Sequence, residues 1–146
     1  MRTKIICLLT AIILVSNISF ANGIEPSEAL QKEFNKEFAQ STDVEWEKVA
    51  DYYKASFLMD GKFLTVYFDA FNNIESISRN ISTSMLPLIL QSNMKDKLSE
   101  TSWIADCFEL FSENGTEYFI VVENADQKVF YQATETDWDL YKRVDK

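Results

Sequence analysis

Carboxylates offer this chain its most direct route to chemistry. Asp43, Glu45 and Glu47 alternate along one short segment. Two such groups flanking a sugar could act as acid and base in glycoside hydrolysis, but alternation on a strand places Glu45 and Glu47 together on a solvated face. Asp69-Ala70-Phe71-Asn72-Asn73-Ile74-Glu75 loosely resembles a calcium loop. It lacks the ligand alternation and the central glycine of such a loop, so an ordinary turn is expected there. Cys107 lies in an apolar run, Ile104-Ala105-Asp106-Cys107-Phe108-Glu109-Leu110. A nucleophilic thiol needs a nearby base, and the chain contains no histidine. That excludes Ser-His-Asp and Cys-His catalysis within one chain, as well as histidine-based zinc sites. A buried, inert Cys107 is the expectation. No catalytic residue, cofactor or metal ligand is assigned. The sequons Asn80-Ile81-Ser82 and Asn114-Gly115-Thr116 are short enough to arise by chance.

The first 21 residues read as an export signal. Arg2 and Lys4 precede an apolar core from Ile5 to Val15, and Ser19-Phe20-Ala21 supplies small residues for cleavage before Asn22. The core is shorter than the about 20 residues a membrane span needs. Cys7 leaves with this segment, so no internal disulfide is expected. The remaining chain, residues 22–146, has 12 Lys plus Arg against 23 Asp plus Glu, a net charge of −11. That balance disfavours nucleic acid and anionic membrane surfaces, whose affinity rests on Lys and Arg. It suits a soluble exported protein, periplasmic or secreted and not inserted in a membrane, or one with a basic partner.

The elements that must position these residues appear twice. Pro26 and Ser27 open a helix whose stripe is Leu30, Phe34 and Phe38. Four strands follow: Val44 to Val49, Tyr52 to Met59, Lys62 to Asp69, and Ile74 to Ile81. Turns at Ala50-Asp51, Asp60-Gly61 and Asn72-Asn73 separate them. Asp60-Gly61 is a two-residue hairpin signal that favours positive φ at both positions. Ser82-Thr83-Ser84 and Pro87 open a second helix with the stripe Leu86, Leu90, Met94 and Leu98. Strands then run from Trp103 to Phe111, Thr116 to Glu123, Lys128 to Ala133 and around Leu140 to Val144, with a second hairpin signal at Asn114-Gly115. The expected fold is α+β: a tandem repeat, about 26–81 and 82–146, of one helix packed on a roughly four-stranded antiparallel sheet, in a single domain. An alternative register lays Asp60-Gly61 to Asp69 on Asn114-Gly115 to Glu123. The turn-for-turn register accounts for every segment.

Phe34-x3-Phe38, Val44-Glu45-Trp46-Glu47, Tyr52-Tyr53-x-Ala55-x-Phe57, Asp60-Gly61, Tyr67-Phe68 and Leu86-Pro87 resemble the PepSY-like proteins. These are exported bacterial proteins also described as similar to the β-lactamase-inhibitor protein. The resemblance covers nearly all of residues 28–146 and thins after Asn114. It departs at Asn72-Asn73, where the family usually has glycine, and at the tail containing Trp138. It implies helices on antiparallel sheet, bacterial export, and binding or inhibition of another exported protein. No inhibitory residue carries over.

Alternation sorts the strand residues by face. Tyr53, Ala55, Phe57, Leu64, Val66 and Phe68 are expected to face the first helix, and Tyr118, Ile120 and Val122 the second. Tyr52, Lys54, Leu58, Phe63, Thr65, Tyr67, Phe119 and Val121 then fall on the other face. That face is unusually apolar for a wet one and is the candidate partner-binding surface. The competing expectation has the outer faces packed on each other, or under a C-terminal tail carrying Trp138 and Tyr141. Two functions follow: an exported, non-catalytic protein-binding module and candidate inhibitor of an envelope or secreted enzyme, or a structural, self-associating component of the cell envelope. The partner, an exported or envelope protein, is not named by the sequence.

Overall fold

The computed structural model describes residues 23–146; the expected export signal lies outside them. The order is α1 (Glu28–Glu37), β1 (Thr42–Val49), β2 (Tyr52–Met59), β3 (Lys62–Phe68), β4 (Ile74–Asn80), α2 (Leu88–Met94), β5 (Trp103–Ser112), β6 (Gly115–Glu123), β7 (Gln127–Ala133) and β8 (Trp138–Asp145). Each of the eight expected strands forms, with ends within a few residues of those read from the pattern.

The expected pair of four-stranded sheets does not form. All eight strands join one antiparallel sheet in the order β1-β2-β3-β4-β5-β6-β7-β8, accompanied by two short helices. A break after the fourth strand would leave two extra rows of unpaired backbone groups, which sheets avoid. Hydrogen bonds from the end of β4 to β5 occupy that position instead. The Ile81 amide donates to the Cys107 carbonyl at 2.9 Å, and Asn80 Nδ2 donates to Asp106 Oδ1 at 2.9 Å.

By compactness the chain divides between Ile77 and Ser78. In the first unit, Ser27 Oγ accepts from the Leu30 amide at 3.2 Å and so starts α1, as its position predicts. Spacing of four then stacks Leu30, Phe34 and Phe38 on one side. They bury against Ala55, Phe57, Val66 and Phe68. The Phe34 and Phe57 rings meet edge to face at 5.0 Å, and Phe38 lies 4.9 Å from Phe57. The helix-facing set read from alternation is the set found, with Tyr53 and Leu64 at its margin.

In the second unit, Ser82 caps a single 3₁₀ turn (Thr83–Met85), and Pro87 stands immediately before α2. This helix has only seven residues and passes into another 3₁₀ turn, Lys95–Lys97. Leu86 and Leu90 bury against Cys107, Ile120, Val122 and Trp138, with Met94, Leu98 and Tyr118 at the margin. Trp138 thus belongs to the helix side. Its indole Nε1 donates to the Leu90 carbonyl at 2.9 Å, tying β8 to α2.

The turns carry the backbone conformations their residues favour. Asp60 and Gly61 take φ of 52° and 71°, and Asn72 takes 65°. At the second hairpin the turn falls one residue earlier than the Asn114-Gly115 signal suggests. Ser112 pairs with Gly115, and Gly115 itself takes φ of 112°, which glycine alone adopts readily. Ala50 is the anomaly. It is exposed in the β1–β2 turn with φ of 53°, where a Cβ costs about 1–2 kcal/mol. Ala50→Gly is therefore expected to raise stability by about 0.5–1 kcal/mol, net of the added flexibility of the unfolded chain. A urea titration checks this, and an unchanged or lower midpoint would contradict it.

Both outer strands are irregular. Between the Thr42–Leu58 and Glu45–Ser56 pairs, β1 carries an extra residue, and the Ile24 amide donates to the Trp46 carbonyl at 3.3 Å. In β8, Leu140 pairs with Tyr131 and Lys142 with Phe130, so Tyr141 is inserted between them as a bulge. Such bulges blunt edge-to-edge pairing.

Candidate functional site

The candidate surface is built on the β2–β3 hairpin. The Asp60-Gly61 turn sets Met59 opposite Lys62 and thereby fixes every pair behind it. On the side away from α1 these are Leu58–Phe63, Ser56–Thr65 and Lys54–Tyr67. β1 extends the rows, with Thr42 beside Leu58, Glu45 beside Ser56 and Glu47 beside Lys54.

The rows differ in chemistry. At the hairpin end Leu58 is 37% exposed and Phe63 55% exposed. In the middle row the Ser56 and Thr65 hydroxyls bond to each other at 3.3 Å. In the third, Lys54 Nζ lies 3.0 Å from Glu47 Oε2. Tyr67 in that row is buried at 2% exposure, and burial, with Glu47 adding to it, raises its phenol well above the ordinary tyrosine range.

The eight residues proposed from the sequence thus separate. Leu58 and Phe63 are exposed side by side. Tyr52, Lys54 and Thr65 are half-buried in the same hairpin. Tyr67, Phe119 and Val121 are buried, so the expectation that they are exposed is corrected. Phe119 stacks on Phe108 with centroids 5.0 Å apart, and Tyr141 meets it edge-on at 5.9 Å. The expected cover from the tail is realised here by Tyr141, whereas Trp138 points to the helix side. Alternation identifies which side a residue faces but says nothing of what covers that side.

Other apolar residues are exposed outside these eight. Met85, Leu88 and Ile89 surround the start of α2 at 58%, 80% and 45% exposure, and Trp103 is 50% exposed. Leu88 and Ile89 fall off the every-fourth stripe, which was the available signal. The Trp103 ring carries the Lys146 ammonium at 5.6 Å, and that ammonium also contacts Glu123 Oε1 at 2.5 Å.

Of the groups that could do chemistry, Asp69 and Glu47 are occupied in other contacts. Asp69 Oδ1 accepts the Phe71 and Asn73 amides, both at 2.8 Å, which closes a turn. Glu47 is paired to Lys54. Among the described residues no group of three His, Cys, Asp or Glu side chains is arranged to hold a metal ion. Cys107 is buried, as expected, and its thiol is pushed up to about 12 by burial, with Asp106 and Glu109 adding to the effect.

That shift has a pH consequence. The unfolded thiol ionises near its ordinary value of 9.0, while the folded one holds its proton to about 12. The folded state binds more protons in between, so this contribution is whole below about pH 8 and falls as pH rises from 9 toward 12. Tyr67, also raised, adds a second fall beginning near its ordinary 10.0. Urea midpoints measured from pH 7 to 10.5 should decline, and less steeply in Cys107→Ala. An identical slope in that variant would contradict the assignment.

Comparison with solved structures places the fold. A BLIP-like protein of Bacteroides fragilis superposes with a TM-score of 0.64 at 26% identity, over 85% of this chain and 89% of that one. A DUF2874 family protein of Bacteroides uniformis gives 0.70 at 16% identity, over 83% and 90%. A proposed periplasmic protein of Bacteroides eggerthii gives 0.71 at 14% identity, over 84% and 90%. No protein-family model matches the chain, and neither does any curated protein. Of the likenesses expected from the sequence, these structures carry the BLIP-like one: the chain has that fold. No helix among the described residues is long and apolar enough to cross a membrane.

Proposed function

We propose that this chain is a periplasmic, non-catalytic protein-binding module of the PepSY-like kind, and that it restrains an exported or envelope enzyme by covering part of its surface. The contact face is the side of the β2–β3 hairpin turned away from α1. The observation that carries this reading is the exposed Leu58–Phe63 pair. A wet sheet face is satisfied by polar residues, so folding alone gives no reason for an exposed phenylalanine opposite an exposed leucine. Aromatic side chains set among polar neighbours are frequent anchors of protein interfaces. The BLIP-like fold, the apolar leader with its cleavage motif and the acidic balance of the chain support the same reading. The self-associating alternative would bring two copies of the same face together, and a chain with 23 acidic against 14 basic residues repels its own copy.

The test is capture from a periplasmic extract on immobilised wild-type protein and on Leu58→Ser and Phe63→Ser, each first checked for an unchanged melting curve. Wild type should retain a protein that the variants release, and that protein's activity should fall when wild type is added back. Equal retention by all three chains would defeat the proposal.

A further inference from the structure

We infer that the partner of this face presents a lysine or arginine beside an apolar recess that receives Phe63; the inference rests on the protein-binding reading above and specifies its chemistry. Three charged side chains share the face: Glu45, Glu47 and Lys54. Glu45 lies on it because its neighbour Trp46 packs with the α1 core and Glu47, two residues on, meets Lys54. Lys54 is held by Glu47, so the one cation is matched. Glu45 is exposed, and no ion pair or hydrogen bond engages it among the described residues. Its row neighbours Ser56 and Thr65 bond to each other and carry no charge. The face is therefore apolar at the hairpin end and singly negative in the next row.

The spacing is set by the sheet. Glu45 and Phe63 stand two strands and two residues apart, which is about 12 Å diagonally. One contact patch covers both. An apolar partner surface closing over Phe63 would strip water from Glu45 and leave a carboxylate without compensation. An acidic surface would add repulsion. A lysine or arginine supplies the missing charge-assisted hydrogen bonds and would be drawn toward a chain with 23 acidic and 14 basic residues.

The test uses two immobilised libraries of short cyclic peptides with identical apolar content, one with Lys and Arg at its charged positions and one with Asp and Glu. Wild-type protein should select binders from the basic library, with affinity that falls as salt is raised. For those binders Glu45→Gln should weaken binding on the order of tenfold and Glu45→Lys further, while Phe63→Ser should abolish it. Equal selection from both libraries, or binding indifferent to Glu45→Lys, overturns the inference and leaves the binding reading standing if Phe63 is still required. Binding that ignores Phe63→Ser overturns both.

Discussion

Phe68→Ser is expected to abolish cooperative unfolding of the unit that ends at Ile77, while Phe63→Ser, on the same strand, leaves the melting curve nearly in place. Phe68 has no exposed surface and packs among Leu30, Phe34, Phe57 and Val66, with Trp46 at 6.0 Å between ring centroids. Removing a buried phenylalanine costs about 3–5 kcal/mol, and the new hydroxyl adds about 1–3 kcal/mol if it finds no partner. The sum rivals the about 5–15 kcal/mol that holds a typical domain together. Phe63 is 55% exposed, and its loss should fall within about 0.5 kcal/mol. Tyr67→Ser should behave like Phe68→Ser, because Tyr67 is buried although it faces away from α1. Thermal melts followed by circular dichroism separate the three. A Phe68→Ser chain that melts like wild type would mean that this core is wrongly placed.

Arg79→Ala is expected to cost about 3–5 kcal/mol, the usual penalty for stranding a buried charge. Arg79 Nε pairs with Glu109 Oε1, and the Glu109 side chain is only 8% exposed. The guanidinium also lies over the Phe111 ring at 5.7 Å, so its removal loses packing as well as charge. Glu109→Ala should cost less, because the Arg79 side chain is 28% exposed and can turn toward water. The double variant Arg79→Met, Glu109→Leu should recover most of the loss, since apolar replacement of a buried pair is often neutral. Urea titration of wild type, that double variant and its two single components, Arg79→Met and Glu109→Leu, at neutral pH gives the coupling directly. Additive losses would show that the pair contributes nothing as a pair.

The strands and turns were legible because their signals are local. Asp60-Gly61 carries its own backbone preference, and the alternation through Tyr53, Ala55 and Phe57 survives any arrangement that buries one side of β2. The joining of eight strands in one sheet was not legible. It depends on pairing across the connection from Asn80 to Trp103, which holds a 3₁₀ turn, α2 and a second 3₁₀ turn, and no residue there states whether the next strand stays in the same sheet. The candidate site was half legible for a related reason. Leu58 and Phe63 sit beside a tight turn, where exposure follows from position. The burial of Tyr67, Phe119 and Val121 depends on cover that strand periodicity does not encode. At β8 Trp138 and Tyr141, three residues apart, lie on opposite sides as alternation requires, and the inserted Tyr141 breaks the alternation only toward Lys142.

The neighbour-to-neighbour strand order has a kinetic meaning. Each strand from β2 to β8 bonds to the strand before it in the chain, and only β5 must reach across a connection that holds a helix. A sheet of this kind has low contact order for a β-rich protein, and its loops close cheaply. A chain threaded out N-terminus first, as an exported one is, could then zip row by row behind its point of emergence. Each new hairpin would cover the raw edge left by the last, and the interval in which an unpaired strand is open to aggregation would last only until its successor arrives.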